Sequence, residues 1–148
     1  MFLPDFNVPE ESIKDVLFMV DTSASVTDRM LSTVYREISF ALEQFGGGLS
    51  GVIGFFDTQV RKVCPFQQVD DLRSIVPVGG GGTDYSCVFA YCETLREEPP
   101  CCIVIFTDGE ADFPNITVTQ DIPVLWLFTK ETAAAQWGQF AYVPQPKN

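Results

Sequence analysis

Three short clusters of oxygen-bearing side chains lie far apart in this sequence: Asp21-Thr22-Ser23-Ala24-Ser25, Gly82-Thr83-Asp84 and Thr107-Asp108-Gly109. Asp21 and Asp108 offer carboxylates, and Ser23, Ser25 and Thr83 offer hydroxyls. Brought together, two carboxylates repel each other unless a cation or a proton sits between them. Hard oxygen donors that carry few charges and leave room for water suit Mg²⁺ or Mn²⁺ better than Zn²⁺. The set falls short of a full cage, so one position stays open for water or for an acidic group of a partner. Asp21, Ser23, Ser25, Thr83 and Asp108 are the candidate metal ligands, and no residue is assigned a catalytic role.

Such a site needs elements that carry the clusters to one place. Val16–Val20 is a continuous apolar run that ends in Asp21, and Cys101–Phe106 is another that ends in Thr107-Asp108-Gly109. Uninterrupted apolar runs of this length fit central parallel strands covered on both faces. Ligands of open α/β sheets bind beyond the carboxyl ends of the strands, where strand order reverses. After the Asp21 loop, Thr27 or Asp28 can cap a helix. Its buried face is marked by Met30, Leu31, Val34, Ile38, Ala41, Leu42 and Phe45, and Gly46-Gly47-Gly48 ends it. Gly51–Phe56 reads as a second strand. A tight turn at Asp57-Thr58 then leads into an antiparallel edge strand, Val60–Phe66, where Pro65 is tolerated.

Residues 69–76 read as a short helix, and Gly79–Gly82 as a loop leading to Thr83. A helix is expected from about Asp84 to Arg96, with Cys87, Val88, Tyr91, Cys92 and Leu95 inward. Pro123–Phe128 and Phe140–Val143 are the last strands. The alternation of strands and helices predicts an α/β fold with an open, mostly parallel, doubly wound, Rossmann-like sheet and one antiparallel edge strand. Residues 1–13 read as a lead-in, 14–144 as one domain and 145–148 as a tail.

Composition bounds what this domain can do. Its 148 residues, 46% apolar and 13% aromatic, suffice for one globular domain. A net charge of −11 and a pI near 4.2 oppose binding to phosphate backbones, so no nucleic-acid partner is expected. The absence of histidine removes histidine-based zinc chemistry, Ser-His-Asp triads and the commonest general base. Neither G-x-x-x-x-G-K-[ST] nor G-x-G-x-x-G occurs. The apolar runs are strand-sized, so no membrane span is expected. Met1-Phe2-Leu3-Pro4-Asp5 has neither a basic n-region nor an apolar h-region, so no secretory leader is expected. Five cysteines without a secreted-style framework fit a reducing cytoplasm.

The three clusters together resemble the metal-ion-dependent adhesion site of the von Willebrand factor A (VWA) domain, which reads D-x-S-x-S, then Thr, then Asp. A closer resemblance is to the VWA-like domain at the C-terminus of predicted bacterial metallopeptidases. It rests on Gly79–Asp84, on Ile105–Gly109 with Phe113-Pro114, on Pro123–Trp126 and on Trp137-Gly138, and extends from Asp15 to Pro144. The resemblance implies that Ser23, Ser25 and Thr83 bind metal through their hydroxyls, and that Asp21 and Asp108 bind directly or through water. It further implies a non-catalytic interaction module of a larger bacterial protein, with a peptidase-like upstream segment or an AAA+ ATPase as its protein partner. The chain has no HExxH motif, so no peptidase activity is assigned. Residues beyond Phe128 are too few for a complete final strand–helix unit, which predicts a trimmed C-terminal edge.

Each residue also has a plainer reading. Asp21 and Asp108 alone would be helix caps or turn formers, Ser23 and Ser25 loop residues, and Asp84 an N-terminal cap. Cys101 and Cys102, adjacent on a strand, are expected to face opposite sides, and all five cysteines to pack in the core. Trp126 and Trp137 read as packing residues. The glycine run lacks a nearby lysine for phosphate. Two other functions compete: a metal-free scaffold, and a Mg²⁺-dependent phosphohydrolase with Asp21 as nucleophile. The second wants an acid where Ser23 stands and a lysine near Asp108, and neighbouring residues supply none.

Overall fold

The computed structural model describes residues 13–23, 28–44, 49–66 and 80–144. A six-stranded sheet forms its centre, built from β1 (Ile13–Asp21), β2 (Leu49–Phe56), β3 (Val60–Phe66), β4 (Cys102–Thr107), β5 (Val124–Phe128) and β6 (Gln139–Tyr142). Helix α1 (Asp28–Gln44) follows β1, and α2 (Ser86–Glu93) precedes β4. Strand order is β3-β2-β1-β4-β5-β6, with every pairing parallel except β2–β3. The expected open, doubly wound α/β sheet with one antiparallel edge is therefore what the chain forms. Pro65 lies on that edge strand, opposite Val52.

The two faces of the sheet explain the apolar runs. Val16, Phe18 and Val20 of β1, with Val104 and Phe106 of β4, pack with Val34 and Ile38 of α1 on one face. Leu17 and Met19, with Ile103 and Ile105, pack with Tyr85, Val88, Phe89 and Cys92 on the other. Every residue of β4 and β5 is buried, so alternation disappears from their sequences. Trp126 is fully buried among Tyr85, Phe113 and Trp137. β6 pairs with β5 through a crossover, residues 129–138, that contains no helix.

Three expectations change. Helix α2 covers only Ser86–Glu93, because Thr94 Oγ1 donates to the Tyr91 carbonyl at 2.6 Å and the chain continues in tighter i→i−3 turns. Its buried face is Val88, Phe89 and Cys92, while Cys87, Tyr91 and Leu95 are only half-buried. Cys101 lies just before β4, so strand alternation does not apply to it. Its thiol and that of Cys102 pack on the same core face, in hydrogen-bond contact with each other. A turn of 3₁₀ helix at Ile116–Thr119, capped by Asn115 accepting from the Thr117 amide at 3.0 Å, has no counterpart in the apolar pattern. The expected helix at 69–76, the cap at Thr27, the glycines at 46–48, the lead-in and the tail lie outside the described residues.

Candidate metal centre

β1 and β4 are adjacent, and the chain leaves them toward opposite sides of the sheet, so the reversal point falls between them. Val20 is in register with Phe106, which sets Asp21 beside Thr107 at the carboxyl ends. Both are buried, as are Ser23 and Asp108. Asp21 is the hub. Its Oδ1 accepts the Ser23 amide at 2.9 Å, and the Ser23 hydroxyl also donates to the carboxylate. Thr107 Oγ1 donates to Oδ2 at 2.7 Å. Thr83 Oγ1 lies 3.3 and 3.4 Å from the two oxygens and shares its one proton between them.

Behind Thr107 stands Tyr85, its hydroxyl 3.0 Å from Thr107 Oγ1. With the threonine proton directed at Asp21, the Tyr85 hydroxyl must donate, giving a relay Tyr85 to Thr107 to Asp21. Asp108 turns its own loop: Oδ1 accepts the Glu110 amide at 2.9 Å. Gly109 between them has φ +83°, and a Cβ there would stand 2.8 Å from that of Ala133, so both backbone and packing call for glycine. Thr83 is delivered by the glycine loop, and Asp84 accepts the Ser86 amide at 2.9 Å from one residue before the N-cap; the N-cap itself is Tyr85, without a side-chain cap bond, and not Asp84 as expected.

Burial raises the Asp21 carboxyl above its ordinary range. The Thr107 and Ser23 hydrogen bonds oppose this, and the charge of Asp108 adds to it. A buried carboxylate with a second carboxylate in electrostatic reach, held among the described residues by neutral hydroxyls and one amide, has the donor chemistry a hard divalent cation requires. Asp21, Ser23, Thr83 and Asp108 thus gather at one end of the sheet, while Ser25 lies outside the described residues. Among the described residues no three side chains drawn from His, Cys, Asp and Glu group as a metal cluster; this set has two carboxylates and relies on hydroxyls.

Three contributors escaped the sequence. Thr107 was visible as part of a cluster, but its hydroxyl contact with Asp21 is set by strand register. Asp57, just after β2, is buried and accepts Arg61 Nε at 2.8 Å and the Gly81 amide at 3.2 Å. Lys130 pairs with Glu110 and lies close enough to Asp108 for the charges to interact, so the fold brings a cation that the residues following Asp108 do not supply.

Comparison with known proteins agrees with this architecture. The fold is similar to that of the ArnB paralogue VWA2 from Sulfolobus acidocaldarius, with a TM-score of 0.60 at 14% identity over 80% of this chain and 35% of that one. It is also similar to the three N-terminal domains of the type V pili tip protein Mfa5 from Porphyromonas gingivalis, with a TM-score of 0.52 at 17% identity over 68% of this chain and 20% of that one. The chain therefore spans about a third of the first structure and a fifth of the second. No curated protein matches the sequence. The model of the VWA-like domain (DUF2201) matches residues 16–143, nearly the whole chain, and on that match the chain belongs to the VWA-like domain family.

Proposed function

We propose that this VWA-like domain is a non-catalytic, metal-dependent protein-interaction module of a larger bacterial protein. Asp21, Ser23, Ser25, Thr83 and Asp108 would hold Mg²⁺ or Mn²⁺, and a partner's Asp or Glu would complete the coordination sphere. The ion would supply a Lewis-acidic centre for that carboxylate. The chain's own residues do the rest: Thr107 and Tyr85 fix the Asp21 carboxylate, and Gly109 lets the chain turn so that Asp108 accepts the Glu110 amide. The observation that carries the reading is the Asp21 hub, a buried carboxylate raised by burial and by Asp108 and held by hydroxyls from Ser23, Thr83 and Thr107. Perturbed groups of this kind concentrate at functional sites.

The partner reading includes a peptidase-like upstream segment or an AAA+ ATPase, and excludes nucleic acid because of the acidic surface. No helix among the described residues is long and apolar enough to cross a membrane. The five free thiols support the proposed cytoplasmic location. One observation favours a metal-free scaffold instead: the hydrogen bonds to Asp21 and the cation of Lys130 near Asp108 partly satisfy the site without an ion. Calorimetric titration of Mn²⁺, with Mg²⁺ as competitor, separates the two. Saturable one-site binding that is lost in a folded Asp21→Ala variant supports the module; no binding up to millimolar metal supports the scaffold.

A further inference from the structure

The loop that delivers Thr83 is fastened to one residue of the neighbouring hairpin. Asp57 follows β2 at the same end of the sheet as Asp21, whose backbone is in register with Phe56. Asp57 Oδ2 accepts the Gly81 amide at 3.2 Å, two residues before Thr83. The Asp57 carbonyl accepts the Asp84 amide at 2.9 Å, one residue after it. Gly81 comes so close that a Cβ on it would stand 3.1 Å from Asp57 Oδ2, leaving no slack for a side chain. The other carboxylate oxygen is occupied by Arg61 Nε at 2.8 Å and the Gln59 amide at 3.1 Å. Asp57 is only 2% exposed and its charge is already met by the Arg61 guanidinium, so it is assigned no ligand role.

We infer that Asp57 is a positioning residue of the proposed metal centre: its carboxylate and carbonyl clasp the glycine loop on either side of Thr83 and set where the Thr83 hydroxyl stands against Asp21. The inference rests on the metal-site reading. Thr83 Oγ1, at 3.3 and 3.4 Å, is the longest of the side-chain contacts to Asp21 whose distances are given above. The loop reaches Asp21 from a non-neighbouring part of the chain, and without the clasp the glycines would leave Thr83 free to swing away. Outer partners that orient a ligand typically change metal affinity by about 10- to 100-fold when removed.

The test is Mn²⁺ affinity in four folded proteins: wild type, Asp57→Ala, Thr83→Ala and the double variant. Truncating Asp57 removes the carboxylate half of the clasp and leaves the main-chain half in place. Asp57→Ala is expected to weaken Mn²⁺ about tenfold, and the double variant to bind no worse than Thr83→Ala, because Asp57 acts through that hydroxyl. Additive losses in the double variant, or an Asp57→Ala affinity within twofold of wild type, overturn the inference. If Asp57→Ala does not fold, Asp57→Asn, which keeps one acceptor oxygen, is expected to weaken binding several-fold; no change overturns the inference.

Amide exchange in metal-free protein distinguishes failure of the clasp from failure of the metal reading. Asp57→Ala should speed exchange at Gly81, whose acceptor it removes, and shift the Thr83 resonances while leaving Glu110 unmoved. That pattern in a protein that binds no Mn²⁺ keeps the clasp and removes the metal. Unchanged Gly81 and Thr83 signals remove the clasp.

Discussion

Two buried carboxylates stand almost side by side at the carboxyl end of the sheet and are treated in opposite ways. Asp57, after β2, receives a guanidinium and two amides. Burial pushes its carboxyl up, but Arg61 and the amides of Gln59 and Gly81 outweigh that and hold it at about 2, against an ordinary 3.8. Asp21, at the end of β1, is no more exposed and, among the described residues, receives hydroxyls and an amide, with a second carboxylate within electrostatic reach. Its carboxyl is raised. Among the described residues, one buried charge is thus compensated by an arginine and its neighbour is met by no cation. A structural carboxylate is expected to resemble Asp57. An uncompensated one costs stability and marks a place where an external cation has something to offset.

The largest effect that sharpens this contrast is on metal affinity. On the proposed reading, Asp21→Asn should weaken Mn²⁺ at least 100-fold, about 2.7 kcal/mol, read by calorimetry. Second in size is stability at the compensated site. Asp57→Asn leaves Arg61 without its anion and should lower unfolding free energy by about 2 kcal/mol in urea titrations at pH 7. Third, Thr107→Val removes the donor to Asp21 and leaves the buried Tyr85 hydroxyl without its acceptor, costing about 1.5 kcal/mol by the same measurement.

The smallest effect has the opposite sign. Asp21→Asn should raise metal-free stability at pH 7 by about 1 kcal/mol, because an amide takes the place of an uncompensated charge. The two sites also part with pH. Asp57 has a lowered folded pKa, so its contribution is present above pH 3.8 and lost as pH falls through about 2. Asp21 has a raised folded pKa, so its penalty is absent below 3.8 and sets in as pH rises through the raised value. Stability curves of the two Asn variants should therefore approach wild type from opposite sides as the solution is acidified. Curves that move in the same direction would break the comparison.

The contrast also explains how much could be read from sequence. The strands β1, β4 and β5 are legible because burial on both faces leaves uninterrupted apolar runs, and their carboxyl ends locate Asp21 and Asp108. Thr83 is legible only through its glycine loop and a family pattern. The partners that decide the electrostatics are not. Thr107 meets Asp21 across 86 positions because Val20 is in register with Phe106, and Asp57 meets Gly81 across 24. Lys130 reaches Glu110 from the end of a different strand. Register and crossover bring these pairs together, and no local periodicity encodes them. Cys101 was misplaced for a related reason: alternation holds only inside a strand, and β4 begins one residue later.

Paramagnetic broadening of assigned amide resonances by substoichiometric Mn²⁺ separates a metal site at the Asp21 hub from a self-satisfied turn. A metal site gives selective loss of the signals of Ser23, Thr83 and Glu110 in wild type and their retention in Asp21→Asn. With a net charge of −11, adventitious binding is the alternative. Broadening centred on exposed acidic residues such as Glu97 and Glu98, or unchanged by Asp21→Asn, would rule out a metal site at the hub.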